Sequence, residues 1–143
     1  MIFNFTKEAS ENFFHNILGI TTSECKSKST KSFYCSKISI YKDEKRYDLL
    51  FLLKKDTVLL VSDLLLFEND PDEQTFIDLL KEIANLIGGT AKTLIEGKDE
   101  LHTYKLSTPE YIGKIDNLNS LNLDKIGSKK IKNRCFVFGI EEL

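Results

Sequence analysis

Hydrophobic and polar residues follow one another along the chain in patterns that predict helices and strands. The segment 7–18 gathers its aromatic and aliphatic residues on one side and is followed by Gly19, which predicts a first helix. Two β-like runs, 33–41 and 46–53, flank the charged turn KDEK. Two such runs around a short polar turn predict a β-hairpin.

The rest of the chain predicts further elements of both kinds. The segment 57–67 suits a buried strand or a helix, and its length and an N-cap at Asp56 or Thr57 favour the helix. The runs 101–107 and 135–140 are strand-like, and a further short run, YIGKI at 111–115, follows a break at Pro109, whereas the rest of the tail reads mainly as polar loops. We therefore expect an α/β (α+β) fold over residues 1–143, as a single domain with about three helices and an antiparallel or mixed sheet.

A long helix at about 73–96 gives the strongest pattern. At about 100° per residue, with Glu82 at zero, its large apolar residues fill an arc from about +40° to +180°. These are Phe76, Leu79, Leu80, Ile83, Leu86, Ile87, Ala91 and Leu94. Five other residues share a narrow strip of the polar side: Asp78, Glu82, Asn85, Gly89 and Lys92. The strip faces away from the predicted core.

Two adjacent glycines interrupt this helix. Each costs about 0.5–1 kcal/mol relative to Ala in a helix interior, so their presence needs a reason. Gly89 lies within the strip and Gly88 beside it, where missing side chains leave a notch for the close approach of another molecule. Alternatively, the pair ends the helix early and a separate turn begins at Thr90.

Composition and charge exclude several classes of function. The chain has 20 Lys and Arg against 22 Asp and Glu, so no net basic field exists to hold nucleic acid. The Lys-rich runs at 26–31 and 129–134 could be local docking surfaces, but such runs more often form solvated loops. The densest apolar stretch, 58–67, is too short to span a bilayer, and the N-terminus does not resemble a signal peptide, so we expect a cytoplasmic protein without a membrane partner.

Cysteine and histidine usage predicts neither a disulfide framework nor a metal site. Cys25, Cys35 and Cys135 are scattered and odd in number, which suits free thiols in a reducing compartment. His15 and His102 have no neighbouring ligands at metal spacing, so no bound metal is expected.

Glu82 and Asn85 lie three residues apart on the strip. They could be ordinary solvent-exposed surface residues or a functional site. A carboxylate can fix a partner's Lys or Arg through a charge-assisted hydrogen bond. An amide offers both donor and acceptor, so it can orient a water molecule without itself taking a proton. Together these abilities suit the positioning of water for attack on a phosphoryl group.

The long helix resembles the signature helix of the CheX/CheC/FliY family of chemotaxis phosphatases. That signature is an Asp or Ser, a Glu four residues later, an Asn three residues after that, and a Pro some twenty-odd residues on. Here these positions are Asp78, Glu82, Asn85 and Pro109. The resemblance extends to 10–20, to the hairpin with the segment 56–67, and to 107–113, and is weakest from residue 114 onward. The first helix lacks a second Glu-x-x-Asn site, which favours a CheX-like member over a CheC-like one.

The resemblance implies hydrolysis of the aspartyl phosphate of a CheY-like response regulator. Asn85 would orient the attacking water and Glu82 would pair with the partner's active-site Lys. Asp78 would flank the contact, Leu86 would supply an apolar edge and Gly89 would leave room for the partner's loop. This chain would bind no cofactor, because the Mg²⁺ would belong to the partner.

Two further expectations accompany the resemblance. CheX-like proteins are often homodimers built by sheet pairing. The competing hypothesis is a non-catalytic adaptor or scaffold of the same fold, which binds a receiver domain or a flagellar-switch protein.

Overall fold

The computed structural model describes residues 1–25 and 31–143, in which helices pack on one face of an antiparallel sheet. The helices are α1 (Ile2–Asn12), α2 (Lys55–Leu66) and α3 (Glu73–Lys98), with a π-helical turn at Phe13–Ile17 and a 3₁₀ turn at Leu118–Ser120. The strands are β1 (Ser23–Glu24), β2 (Lys31–Lys42), β3 (Lys45–Leu53), β4 (Tyr104–Leu106), β5 (Glu110–Asn117), β6 (Lys125–Ile131) and β7 (Arg134–Glu142).

Within the described ranges the sheet runs in the order β1, β6, β7, β3, β2, β4, and β5 also pairs with β2. The predicted hairpin is confirmed, with Ile38 opposite Leu49 in the β2–β3 register. Its turn is two residues long, and Asp43 adopts a φ of 55° there. A short aspartate tolerates this left-handed conformation better than most residues, as two-residue hairpin turns require.

The sheet separates two apolar clusters because side chains alternate between its faces. The main core lies between the sheet and the helices, and it includes Phe14, Ile40, Phe51, Val61, Leu80 and Phe136. A smaller cluster on the opposite face contains Phe33, Cys35, Leu50, Leu52, Leu118 and Val137. The helices therefore cover one face, and the 118–123 segment contributes to the cover of the other.

Several predicted elements are confirmed and others need correction. The segment 57–67 is helical, as its length favours, but the N-cap is Lys54, and the predicted N-caps Asp56 and Thr57 lie inside α2. The first helix begins at Ile2 rather than residue 7. Strand β6 has no counterpart among the predicted elements, because it falls in the tail whose polar residues indicate loops. The Lys-rich run at 129–134 accordingly forms the β6–β7 turn and its flanking strand ends, while 26–30 lie outside the described residues.

The expectation of three free thiols is wrong for two of them. Cys25 and Cys135 form a disulfide, with their Cα atoms 6.0 Å apart. Cys35 is free and buried, and burial raises the pKa of its thiol to about 12. Within the described ranges, no helix is long and apolar enough to cross a membrane.

Candidate functional site

Helix α3 runs without interruption through both glycines. Asp72 caps its N-terminus, where the carboxylate accepts a hydrogen bond from the Thr75 backbone N–H at 2.8 Å. That bond lowers the pKa of Asp72 below its ordinary value. The helix then continues to Lys98 and ends at Asp99, so the alternative in which the glycine pair ends the helix is wrong.

The buried side of α3 largely matches the predicted arc. Its buried residues are Leu79, Leu80, Ile83, Ala84, Ile87, Gly88, Ala91 and Ile95. Phe76, Leu86 and Leu94 are partly buried and pack against the same core. Ala84, Gly88 and Ile95 are buried although they lie outside the predicted arc, so the arc that faces the core is rotated toward Gly88.

The two glycines lie on different faces of α3. A Cβ added at Gly88 would come within 2.7 Å of Ile38 Cγ2, and within 3.5 Å of Leu106 Cδ1. Gly88 therefore permits close packing of α3 on the sheet, and the expectation that it contributes to the notch is wrong. A Cβ at Gly89 would meet nothing within 4 Å, which leaves the bare surface predicted for the strip.

We define the α3 strip as Asp78, Glu82, Asn85, Gly89 and Lys92. The first three are exposed, and the other two are partly exposed. Asp78 accepts a hydrogen bond from Gln74 Nε2 at 2.9 Å, and Lys92 Nζ lies 3.1 Å from Glu96 Oε1. Across residues 1–25 and 31–143, Glu82 and Asn85 have no hydrogen bond or ion pair with another side chain.

Glu82 and Asn85 are one helical turn apart, which puts their Cβ atoms about 5–6 Å from each other. Leu86 borders them and is only partly covered by the core. The strip thus presents a carboxylate, an amide and an apolar edge to an incoming molecule. Helical geometry fixes their relative placement, because all three belong to one continuous helix.

Other chemistry-bearing residues lie away from the strip. Pro109 lies in the link between β4 and β5. At the C-terminal end of α3, Asp99 accepts a hydrogen bond from Tyr104 at 2.7 Å and lies 2.8 Å from His102 Nδ1. No cluster of three or more His, Cys, Asp or Glu suited to a metal ion occurs among the described residues.

An exposed aromatic residue near the N-terminal end of α3, Phe67, is not among the site residues predicted from the sequence. Phe67 follows α2 and is 88% exposed, in a left-handed conformation with φ of 58°. The sequence does carry a signal for this residue, because Phe67 occupies the position directly after a helix, where Gly or Asn is the usual residue.

No protein-family model matches the chain, and no curated protein matches it in sequence. Solved structures do match it. The chemotaxis protein CheX from Vibrio vulnificus superposes with a TM-score of 0.80 at 13% identity, and the match covers 99% of each chain. The chain has the fold of the CheX-like chemotaxis proteins.

Two other solved structures extend this comparison. The CheX–CheY–BeF3–Mg²⁺ complex from Borrelia burgdorferi matches at 14% identity and a TM-score of 0.71, over 99% of this chain and 97% of that one. The middle domain of FliM from H. pylori matches more distantly, at 10% identity and a TM-score of 0.54, over 97% and 86%. The predicted resemblance is therefore confirmed at the level of the fold.

Proposed function

We propose that this protein acts in chemotaxis signalling by hydrolysing the aspartyl phosphate of a CheY-type response regulator. The observation that carries the proposal is the α3 strip, on which Glu82 and Asn85 are exposed and have no side-chain partner in the described chain. Polar groups left without partners on a rigid helix are available to another molecule. The CheX-like fold and the CheX–CheY complex of the same fold support the choice of partner.

In this mechanism Asn85 positions water. Its side-chain oxygen accepts a hydrogen bond from the water, whose oxygen then attacks phosphorus in line with the bond to the aspartate. The new P–O bond forms as the acyl phosphate P–O bond breaks. The products are inorganic phosphate and the free aspartate carboxylate of the partner, and the water's proton is carried away on the phosphate or to solvent. An amide is suited to this task because it orients the water and remains unchanged.

Glu82 fixes the position of the partner on the helix and takes no part in proton transfer. An exposed carboxylate one turn before Asn85 can form a charge-assisted bond with a Lys beside the partner's phosphoryl group. The partner would also hold Mg²⁺, which would supply neutralisation of the charge on the phosphoryl oxygens. The contribution of this chain is placement, to which catalysis of phosphoryl transfer is especially sensitive.

Two further strip residues, Asp78 and Gly89, and the neighbouring Leu86 shape the contact around these two. Asp78 lies one turn before Glu82 and is exposed, so it flanks the approach to the partner. Leu86 gives an apolar edge beside Asn85. The open space above Gly89 accommodates a loop of the partner close to the helix backbone.

The test is the release of inorganic phosphate from a phosphorylated CheY-type receiver. We expect acceleration by the wild type, and loss of most of it in Asn85→Ala, about 10²-fold or more for a water-positioning group. Glu82→Ala should weaken the complex as well. Asn4→Ala and Glu8→Ala are matched controls, because both residues are exposed on a different helix, α1.

The adaptor hypothesis predicts a different result in the same experiment. An adaptor binds the receiver, or a flagellar-switch protein, without accelerating hydrolysis. The observation in favour of this second function is the distant likeness to the FliM middle domain. Binding of the phosphorylated receiver with a hydrolysis rate equal to its spontaneous rate would establish the adaptor and end the phosphatase proposal. Normal binding by Asn85→Ala with lost acceleration would support the phosphatase.

We also propose a homodimer formed by sheet pairing. In the described chain β5 pairs with β2 on one side, and its other edge is open beside the exposed Ile112. Exposed strand edges are templates for pairing with a second chain. Sedimentation velocity would show a dimer, and Ile112→Lys on that edge should shift it to the monomer.

A further inference from the structure

The surface just before α3 carries an unusual pair of exposed apolar side chains. Phe67 is 88% exposed and its neighbour Leu66 is 40% exposed. Two hydrogen bonds hold the backbone around Phe67 in place. The Phe67 N–H donates to the Ser62 carbonyl oxygen, and Ser62 Oγ donates to the Glu68 carbonyl oxygen at 2.7 Å. A large aromatic residue is thus held in solvent, in a backbone conformation that Gly adopts at lower cost.

This surface continues the line of the α3 strip. Phe67 lines a shallow hollow together with Glu68, Asn69, Asp70, Asp72 and Thr75. Thr75 is seven residues before Glu82, so it lies within about 20° of Glu82 around α3 and about 10 Å along it. A molecule the size of a small domain that contacts Glu82 and Asn85 would reach the hollow at the same time.

The negative charge around Phe67 restricts which classes of molecule can bind to this surface. Residues 56–80 contain no Lys or Arg and seven acidic residues: Asp56, Asp63, Glu68, Asp70, Asp72, Glu73 and Asp78. Glu68 and Asp70 are exposed and form no ion pair with any described residue. Nucleic acids and anionic membranes are repelled by such a surface. A second copy that docked symmetrically through it would bring the same acids face to face, which is unfavourable.

We propose that Phe67 and Leu66, with the acids around them, form a docking surface for the receiver domain whose phosphorylated site meets Glu82 and Asn85. The complementary surface on the receiver is an apolar pocket rimmed by Lys or Arg side chains. This inference rests on the proposed function and assigns a second contact to the same partner. The docking surface supplies affinity, and the strip supplies the chemistry.

Phe67→Gly separates docking from folding. Glycine accepts the left-handed conformation, so the thermal stability of the variant should equal or exceed that of the wild type. Binding of a beryllofluoride-loaded receiver should weaken about tenfold, as is typical when a buried aromatic anchor is removed from an interface. KM for the phosphorylated receiver should rise by a similar factor, with kcat within about twofold.

Leu101→Ala is the matched control. Leu101 is 92% exposed just beyond the other end of α3, a helix of 26 residues and about 39 Å. Its truncation should leave the Kd for the receiver and KM unchanged. The double variant Glu68→Gln, Asp70→Asn should lower the association rate and reduce its dependence on salt.

The outcomes distinguish this inference from the proposed function. If the wild type accelerates hydrolysis and Phe67→Gly binds the receiver as tightly as the wild type, the docking surface is refuted and the phosphatase stands. If the wild type neither binds nor dephosphorylates the receiver, both are refuted. A change of sedimentation coefficient in Phe67→Gly, with unchanged receiver affinity, would refute the receiver contact and assign the surface to a second copy.

Discussion

Alanine at Gly88 and alanine at Gly89 should change stability in opposite directions, although the two positions are adjacent. In an open helix interior, Gly→Ala stabilises by about 0.5–1 kcal/mol. At Gly89 a new Cβ meets nothing within 4 Å, so Gly89→Ala should raise the free energy of unfolding by about that amount. It therefore serves as the reference for its neighbour.

At Gly88 the same methyl group meets Ile38 Cγ2 at 2.7 Å. That carbon is attached to the branched Cβ of Ile38, so it cannot move aside without a change of rotamer or a shift of α3. Overpacking of this kind costs about 1–3 kcal/mol, which outweighs the helix propensity gain. We expect Gly88→Ala to lower the free energy of unfolding by about 1–2 kcal/mol.

Urea unfolding followed by circular dichroism measures both effects. The difference between the variants isolates the packing cost, about 1–3 kcal/mol, because helix propensity cancels. In an Ile38→Ala background the methyl group at residue 88 has space, so Gly88→Ala should become neutral or stabilising. Equal unfolding free energies for the two single variants would refute the close approach of α3 to β2.

Three further predictions test the strip, the end of α3 and the disulfide. Gly89→Leu should reduce phosphatase activity at least about tenfold without loss of stability, because its side chain enters the space left for the partner. The hydrogen bond with His102 chiefly lowers the pKa of Asp99 from 3.8 to about 2, so the stability that this carboxylate contributes is present above about pH 4 and is lost as the pH falls through about 2. The difference in unfolding free energy between wild type and Asp99→Asn should therefore shrink over that range in acid titrations. Cys25→Ser should lower the free energy of unfolding by about 3–5 kcal/mol under oxidising conditions, and by much less in reductant, since the disulfide closes a loop across a separation of 110 residues.

Periodicity in the sequence is sufficient to predict α3 but not β6. The buried and exposed sides of α3 repeat along all 26 of its residues, so the helical wheel alone locates the strip. In β6 the inward positions include Gly127 and Lys129, which carry no apolar signal. Lys129 Nζ lies 2.9 Å from Glu11 Oε1 of α1, and Gly127 makes room for the ring of Phe138. Backbone pairing with β7 and these distant contacts define the strand.

The disulfide cannot be predicted from the sequence for a related reason. Cys25 and Cys135 are 110 residues apart, and only the order of β1, β6 and β7 in the sheet brings them together. Cysteine spacing alone carries no information about a pairing that depends on the topology. The prediction of a free thiol is confirmed for Cys35, whose inward place in β2 buries it.

The two faces of α3 explain why it tolerates adjacent glycines, and they connect packing to chemistry. Gly88 lets the helix lie against Ile38 and Leu106, so its buried face is fixed on the sheet at close range. A fixed helix holds Glu82 and Asn85 in a constant relation to the rest of the molecule. In the proposed phosphatase mechanism this rigidity favours catalysis, because small misplacements of the attacking water are costly. Gly89 lies about 100° around the helix from Gly88, on the exposed side, where it leaves the backbone accessible to the proposed partner. One glycine thus secures the helix on the sheet, and the next leaves its outer surface open.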